Sequence, residues 1–312
     1  MKNTYNILEK YKKYMDINFE YYKIFYYVAK YRNITKAAAA LGSSQPNVTR
    51  VMKLLEAQLN CRLFIRGTRG ISLTKEGEIL GSHVEIACRH LLDAQEEIGG
   101  QDLMKGGTVE IGATETALHL FLIKALYDFR RDYPAIRIRI HNDTTPEIVR
   151  RLLDGRQDLA VITGPYEVPG AALCEKILDF REVLVGGTQY EALCREPFKL
   201  EDVKKYPWVS LGRGSATYEM YRNFFIEHKI DFEPDMEVAT SDLMLPLIEN
   251  NFGIGFVPKE LAEPLLREGR LVQIETDTFL PARSLQIVSD KGRGRSLAAD
   301  TLYKFLRGKF ST

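Results

Sequence analysis

Apolar positions at Val48, Met52, Leu55 and Leu59 recur at steps of four, three and four, which lines up one face of a helix. The opposite side of that helix carries Thr49, Arg50 and Lys53, and the residues leading into it read Ser43-Ser44-Gln45-Pro46-Asn47. Either serine can supply the N-cap oxygen. Pro46 then falls in the first turn, where a missing N–H costs nothing. Two shorter helical patterns precede this one. FEYYKIFYYVAKY places Tyr22, Phe25, Val28 and Ala29 on one side. TKAAAALG offers Thr35 as a cap and Gly42 as a left-handed stop. The four alanines let that short helix approach its neighbour closely. Helix, glycine-containing turn and helix make a helix-turn-helix.

Beyond residue 60 the period changes. Leu63–Ile65 and Ile71–Leu73 are short apolar runs flanking Arg66-Gly67-Thr68-Arg69-Gly70, which predicts a β-hairpin with a basic tip. A helix-turn-helix followed by such a wing is a winged helix-turn-helix. Residues 76–104 contain no proline, and Leu80, Val84, Ala87, Leu91, Ala94 and Ile98 alternate steps of four and three, the pattern of a coiled-coil seam. Gly106-Gly107 breaks it. Then TVEIGA, IRIRIHN and DLAVITG alternate with two helical stretches, giving β-α-β-α-β and a mainly parallel sheet. FREVLVGG, PWVSLG, GIGFVP and SLQIVSD form a second series, closed by a helix from Leu297 to Leu306.

Charge changes the picture for the first part alone. The chain of 312 residues carries a formal net charge of +1, but the charge is unevenly spread. Between Phe19 and Lys75 there are ten basic residues and two acidic ones, Glu20 and Glu56, which makes +8 there and −7 elsewhere. A basic N-terminal module on an acidic body suits a reader of double-stranded DNA. Gln45 and Asn47 suit adenine edges and Arg50 guanine edges. Thr49 and Lys53 suit phosphates or thymine methyls, and the free amides at the helix start, Ser43 and Ser44 included, suit a phosphate. Arg66 and Arg69 on the hairpin would lie along a groove or backbone.

Several classes are disfavoured. No apolar run is long enough to span a bilayer, and the N-terminus is polar and charged, so a cytoplasmic protein without a secretory signal is expected. No G-x-S-x-G, H-E-x-x-H or P-loop pattern occurs, the five histidines are scattered, and no metal-ligand spacing exists, so neither an enzyme nor a metal or other cofactor is expected. His119 reads as a core or rim histidine, and the GRGR turn at 292–295 as a solvated basic turn. Cys61, Cys88, Cys174 and Cys194 read as buried inert thiols, with a redox pair at Cys174 and Cys194 as the alternative.

The stretch AAAALGSSQPNVTRVMKLLE followed by LFIRGTRGISLTKEG resembles the N-terminal domain of LysR-type transcriptional regulators. Ala37, Ala38, Ser44, Gln45, Pro46, Val48, Thr49, Arg50, Leu63, Phe64, Arg66, Leu73, Thr74 and Gly77 carry that family's pattern. GTVEIGATET, FRRDYP, LLDGRQDLAVI and GIGFVP resemble its effector domain, which is similar to type 2 periplasmic binding proteins. The resemblance implies an α/β chain: an N-terminal extension (1–15), a winged helix-turn-helix (16–75), a dimerising linker helix (76–105) and an effector-binding domain (106–312). It implies two subdomains there, about 106–174 with 281–312, and about 175–280. It also implies a homodimer or homotetramer that answers to a small-molecule co-inducer.

Ligands of open α/β sheets sit beyond the carboxyl ends of the strands. Those ends are Ala113-Thr114-Glu115-Thr116, Asn142-Asp143-Thr144 and Thr163-Gly164. In the second series Leu211 leads to Gly212-Arg213-Gly214-Ser215-Ala216-Thr217 and a helix. Thr114, Thr116, Asn142, Thr163, Ser215 and Thr217 would line the cleft, and Arg213 would pair with a small anion. The family's effector contacts fall in these loops, which favours Thr114, Thr116 and Ser215.

Overall fold

The structure, a computed structural model, describes residues 17–67, 70–98 and 106–310. The expected extension, Thr68 and Arg69 of the hairpin tip, and residues 99–105 of the expected linker lie outside them. The chain divides into two compact units, Met1–Gly100 and Gln101–Thr312.

In the first unit three helices, α1 (Phe19–Tyr31), α2 (Ile34–Ala40) and α3 (Gln45–Leu59), precede an antiparallel hairpin, β1 (Phe64–Gly67) and β2 (Gly70–Leu73), and a long helix, α4 (Lys75–Ile98). Phe25, Val28, Ala37, Val48, Leu55, Leu63 and Val84 make its core. Three details differ from expectation. The cap of α2 is Asn33, whose Oδ1 accepts from Lys36 N at 2.9 Å, because the helix already begins at Ile34 and takes Thr35 into its first turn. Gly42 does stop that helix, at φ +60°. The hairpin strands run further than their apolar runs: Arg66 pairs with Ile71 and Gly67 with Gly70, so the tip shortens to Thr68 and Arg69.

The third difference concerns α4. Val84 is buried, and Leu80 and Cys88 pack beside it on the core of the same unit, while Ala87, Leu91 and Ala94 are exposed. The seam therefore divides, its first half serving its own domain. Thr74 fixes the start of α4: its Oγ1 accepts from Gly77 N at 3.0 Å and donates to Arg62 O at 2.6 Å. A Cβ on Gly77 would stand 2.1 Å from Leu63 O, so only glycine lets the helix lie this close to the wing.

The second unit holds two subdomains. A five-stranded sheet, in order β4-β3-β5-β12-β6, forms the first, with β3 (Gly107–Ala113), β4 (Ile136–Asn142), β5 (Leu159–Thr163), β6 (Ala172–Phe180) and β12 (Arg283–Asp290). A continuous helix, α5, follows β3 through Glu115–Ala117, a π-helical turn at Leu118–Leu122, and Ile123–Asp132. Helix α6 (Thr145–Leu153) links β4 to β5, and α10 (Leu297–Gly308) closes the chain on the core that also holds Val109, Phe129 and Leu159. The other sheet face packs Ile148, Leu152, Ala160 and Val288.

The second subdomain contains β7 (Glu182–Gly187), β8 (Val209–Leu211), α7 (Ala216–Glu227), β9 (Met236–Val238), α8 (Met244–Glu249), β10 (Gly255–Pro258), α9 (Lys259–Arg267) and β11 (Leu271–Ile274). The parallel expectation holds for β3, β4 and β5 and for the β8–β9 pair. It fails at β7, which is antiparallel to β10 and β11, and at β12, antiparallel to β5 and β6. The cause is the crossing: β6 runs out of the first sheet straight into β7, and β12 returns through the same gap against its direction. The GRGR turn is not merely solvated. Arg293 donates to Leu152 O and Leu153 O at 3.1 and 3.2 Å, capping the carbonyl end of α6.

Candidate functional site

Two places gather the candidate residues, one in each unit. In the first, Ser44 is the N-cap of α3, with extended backbone and its Oγ 3.4 Å from Asn47 N, and Pro46 sits in the first turn. Val48, Val51, Met52 and Leu55 are buried behind it. Gln45, Pro46, Arg50 and Lys53 are exposed, and Thr49 is half-buried. A short polar chain runs along this open side: Arg50 Nη2 donates to Asn47 Oδ1 at 3.1 Å, and Asn47 Nδ2 donates to Ser43 Oγ at 3.1 Å. Ser43 therefore orients Asn47, and Asn47 orients Arg50. On the wing, Arg66 lies in β1, and Arg69 falls outside the described residues. Glu56, unmarked in the sequence except as an isolated acid, receives the amides of Leu63 and Phe64 at 2.8 and 3.3 Å and so anchors the wing to α3.

In the second unit, Thr114, Thr116, Asn142, Thr163, Ser215 and Thr217 line one cavity of ≈ 320 Å³ between the two sheets. Strand ends deliver Thr114, Asn142 and Thr163, the first turn of α5 delivers Thr116, and the start of α7 the other two. Thr114 and Thr163 share a hydrogen bond of 2.6 Å between their hydroxyls, and Asn142 Nδ2 donates to Ala113 O at 3.1 Å. Ser215 caps α7, its Oγ accepting from Tyr218 N at 3.1 Å. Arg213 does not join them. It is 69% exposed, and its Nε stands 3.6 Å from Glu237 Oε1, a partner on β9 that draws it away from the cavity.

The wall holds more than the expected liners, and Thr145, Thr240 and Ser241 fall outside the expected strand ends. Thr144, Thr145, Thr240 and Ser241 add hydroxyls, and Glu115 and Asp143 add carboxylates. Thr144 precedes a Thr-Pro helix start much as Ser44 precedes Gln45-Pro46, and that repeat of the cap pattern was the available signal. The two subdomains meet at the cavity mouth, where His119 Nε2 lies 2.8 Å from Asp242 Oδ1, and Asp242 N lies 3.4 Å from Glu115 Oε2. His119 is thus a rim histidine with a partner. Burial, then Asp242, push the Glu115 carboxyl above its ordinary range.

Behind the wall lies a group with no sequence signal. Arg283, 2% exposed at the start of β12, is ion-paired with Glu182 at the start of β7, equally buried. It also donates to Gly164 O at 3.1 Å and to Thr217 Oγ1 at 2.8 Å. Tyr221 of α7 donates to Glu182 at 2.7 Å, and its burial raises the phenol well above its usual pKa. Both crossing strands and the cavity wall are tied by this one cluster. A wider depression of ≈ 620 Å³ shares Ser215 and Ala216 but is walled largely by Pro165, Tyr166, Met220 and Phe224, and lacks the convergent hydroxyls.

The thiols divide differently from expectation. None is fully buried, and Cys174 and Cys194 are exposed. Cys174 donates to Gln286 Oε1 and Cys194 to Gln273 O, and burial with nearby glutamates raises both pKa values, against a reactive thiolate. Among the described residues no cluster of three or more His, Cys, Asp or Glu is placed to hold a metal ion, and no helix is long and apolar enough to cross a membrane.

Residues 19–78 match the family described as bacterial regulatory helix-turn-helix protein, lysR family, and residues 104–311 match the LysR substrate binding domain. A probable RuBisCO transcriptional regulator from Chlorokybus atmophyticus is 27% identical over 281 residues, covering 88% of this chain and 89% of its own. Full-length CbnR complexed with its target DNA is similar in fold, with TM-score 0.66 and 20% identity over 94% of this chain and all of that one (100%). The regulatory domain of Synechocystis PCC6803 CcmR in complex with 2-PG aligns with 66% of this chain and 98% of its own, at TM-score 0.59 and 18% identity. The chain belongs to the LysR family: it is a DNA-binding transcriptional regulator with an effector-binding domain, and not an enzyme.

Proposed function

We propose that this regulator reads its promoter with the open side of α3 and is controlled by a small anionic effector held in the ≈ 320 Å³ cavity. Residues 16–75 form the DNA-binding part, residues 76–105 the dimerising linker, and the chain works in the cytoplasm as a homodimer or homotetramer on nucleoid DNA. Gln45, Asn47, Thr49, Arg50 and Lys53 face the bases and phosphates. Ser43, Ser44 and Pro46 set the helix start against the backbone, and Arg66 and Arg69 follow the neighbouring groove. The CbnR complex with target DNA and the CcmR domain with 2-PG support a chain of this build having both kinds of partner.

One observation carries the effector reading. The cavity takes Thr114 and Thr163 from one subdomain and Ser215, Thr217 and Thr240 from the other. A ligand that bonds both walls binds the closed arrangement better than an open one, and so shifts the balance between them. That balance is what the paired recognition helices would sense.

Two substitutions test the two halves. Arg50→Ala should weaken operator binding by roughly 1–3 kcal/mol and change base preference, whereas Arg69→Ala should weaken all sequences alike and lower the salt slope. Unchanged operator affinity of Arg50→Ala in a fluorescence-anisotropy titration would remove the recognition-helix assignment. Thr116→Val should abolish the effector response while operator affinity stays as it was. A Thr116→Val chain that still responds moves the effector elsewhere.

A further inference from the structure

The wall of the cavity between the two sheets brings together two opposite kinds of charge. The first turns of α5, α6 and α7 open into it through Thr114, Thr144 and Ser215, the three N-caps. Opening amides of a helix have no partner within it and carry positive partial charge. Thr116 lies in the first turn of α5. It is 92% buried, it lines the cavity, and no hydrogen-bond partner meets its hydroxyl among the described residues. Its hydroxyl is not sealed off among the buried atoms without a partner, so it is open to bond what the cavity holds.

The same wall carries acids beside two of these helix starts. Glu115 and Asp143 line the cavity, and no lysine, arginine or histidine does. Asp242 stands against Glu115 from the opposite subdomain, and its own carboxylate is engaged by His119 at 2.8 Å. Arg283 touches the wall through Thr217, but its charge is matched by buried Glu182. A plain anion would therefore have its charge met by helix amides and opposed by Glu115. A plain cation would meet Glu115 and be opposed by three helix starts. A molecule bearing both charges satisfies both the helix starts and Glu115.

We propose that the ligand of this cavity is a compact zwitterion, a free amino acid or similar amino-bearing acid. Its carboxylate lies on the helix amides and Thr116, and its ammonium lies on Glu115. The proposal rests on the effector reading above and narrows it from an anion to an anion that also carries a cationic nitrogen. The cavity volume agrees, since ≈ 320 Å³ is near the lower bound for small-molecule sites and suits a metabolite of this size. The upward shift of Glu115 agrees as well: a carboxyl disfavoured by burial and by Asp242 gains most from an ammonium beside it.

The test is a thermal-shift titration of the full chain with three sets of probes. They are the protein amino acids, their deaminated or 2-hydroxy counterparts with phosphate and sulfate, and simple primary amines. One or more amino acids should raise the melting temperature by linkage, while the matched acid without the amine and the matched amine without the acid should not. Glu115→Gln should weaken the responding amino acid about tenfold or more, and should leave the melting temperature without ligand close to that of the parent chain only at acid pH, where the parent carboxyl keeps its proton. Equal shifts from the deaminated acids or phosphate would overturn the zwitterion and leave the anionic effector standing. Equal shifts from the amines would overturn both, as would a melting temperature that no probe moves. A responding amino acid whose affinity is untouched in Glu115→Gln would also overturn the assignment, because its nitrogen would then lie elsewhere.

Discussion

The start of α3 and the cavity of the second unit use the same device, a capped helix N-terminus, at opposite ranges of sequence. At α3 everything comes from one stretch: Ser44 caps, Pro46 fits the first turn, Val48, Met52 and Leu55 anchor, and Asn47 links Ser43 to Arg50. The cavity needs three helix starts, at Thr114, Thr144 and Ser215, delivered from two sheets and held by a cluster joining Glu182, Thr217, Tyr221 and Arg283. A site written in one segment stands when that one helix stands. An assembled site also depends on groups that never touch the ligand.

The sharpest way to break the comparison is Glu182→Ala. It leaves the Arg283 guanidinium buried and unpaired, which should cost about 3–5 kcal/mol, whereas replacing both residues by apolar ones of similar volume should cost far less. The single tryptophan, Trp208, is buried in the second subdomain, so its fluorescence in a urea titration follows that unit. Operator binding through α3 should persist wherever the second unit remains folded. If Glu182→Ala unfolds at the parent urea concentration, the cluster is not what holds the cavity walls together.

Gly77→Ala tests the local site in the same spirit. A methyl group 2.1 Å from Leu63 O must push α4 off the wing, at about 1–3 kcal/mol or more, because the atom it meets first is backbone and cannot swing aside. Far-ultraviolet circular dichroism should register the loss, with Trp208 fluorescence unmoved at the same urea concentration. A Gly77→Ala chain as stable as its parent would mean that the wing and α4 can separate without consequence.

What could be read from the sequence follows the same division. The periodic face of α3 and the place of Pro46 are local chemistry and stand as read. Local ambiguity misled only by a step: Asn33 and Thr35 are both good caps, and the backbone chose the earlier. The α4 seam shows a harder limit, because a four-three period says that a face is apolar and not what it packs on. Leu80 and Val84 turn to their own domain. In the second unit the strand-end rule found six wall residues, since it depends only on where strands stop. It could not find Arg283 with Glu182, 101 residues apart, nor foresee that Glu237 would hold Arg213. Those pairings are created by the fold, and no short-range pattern marks them.

The smallest expected effect is also the one that connects the wall to its chemistry. Asp242 faces Glu115 from the second subdomain, His119 follows it on α5 and engages that same Asp242, and Asp143 lies on the cavity side. Burial and Asp242 raise the Glu115 carboxyl above its ordinary value of 4.5, so the folded chain keeps this proton at a pH where the unfolded chain has lost it. The associated stability is complete below the ordinary value and is lost as pH rises through the raised one. The melting temperature should therefore carry a component that falls as pH climbs from the carboxylate range toward neutrality. Glu115→Gln has no proton to lose and should lack that component, so the variant gains on the parent as pH rises. A difference between the two that stays constant with pH would mean that Asp242 does not press on Glu115. An ammonium bound beside Glu115 favours the ionised carboxylate, so ligand affinity should strengthen across the same interval in which the protein without ligand weakens. Opposite slopes for stability and affinity over one pH window are what a local cap such as Ser44 cannot produce, having no charge to exchange.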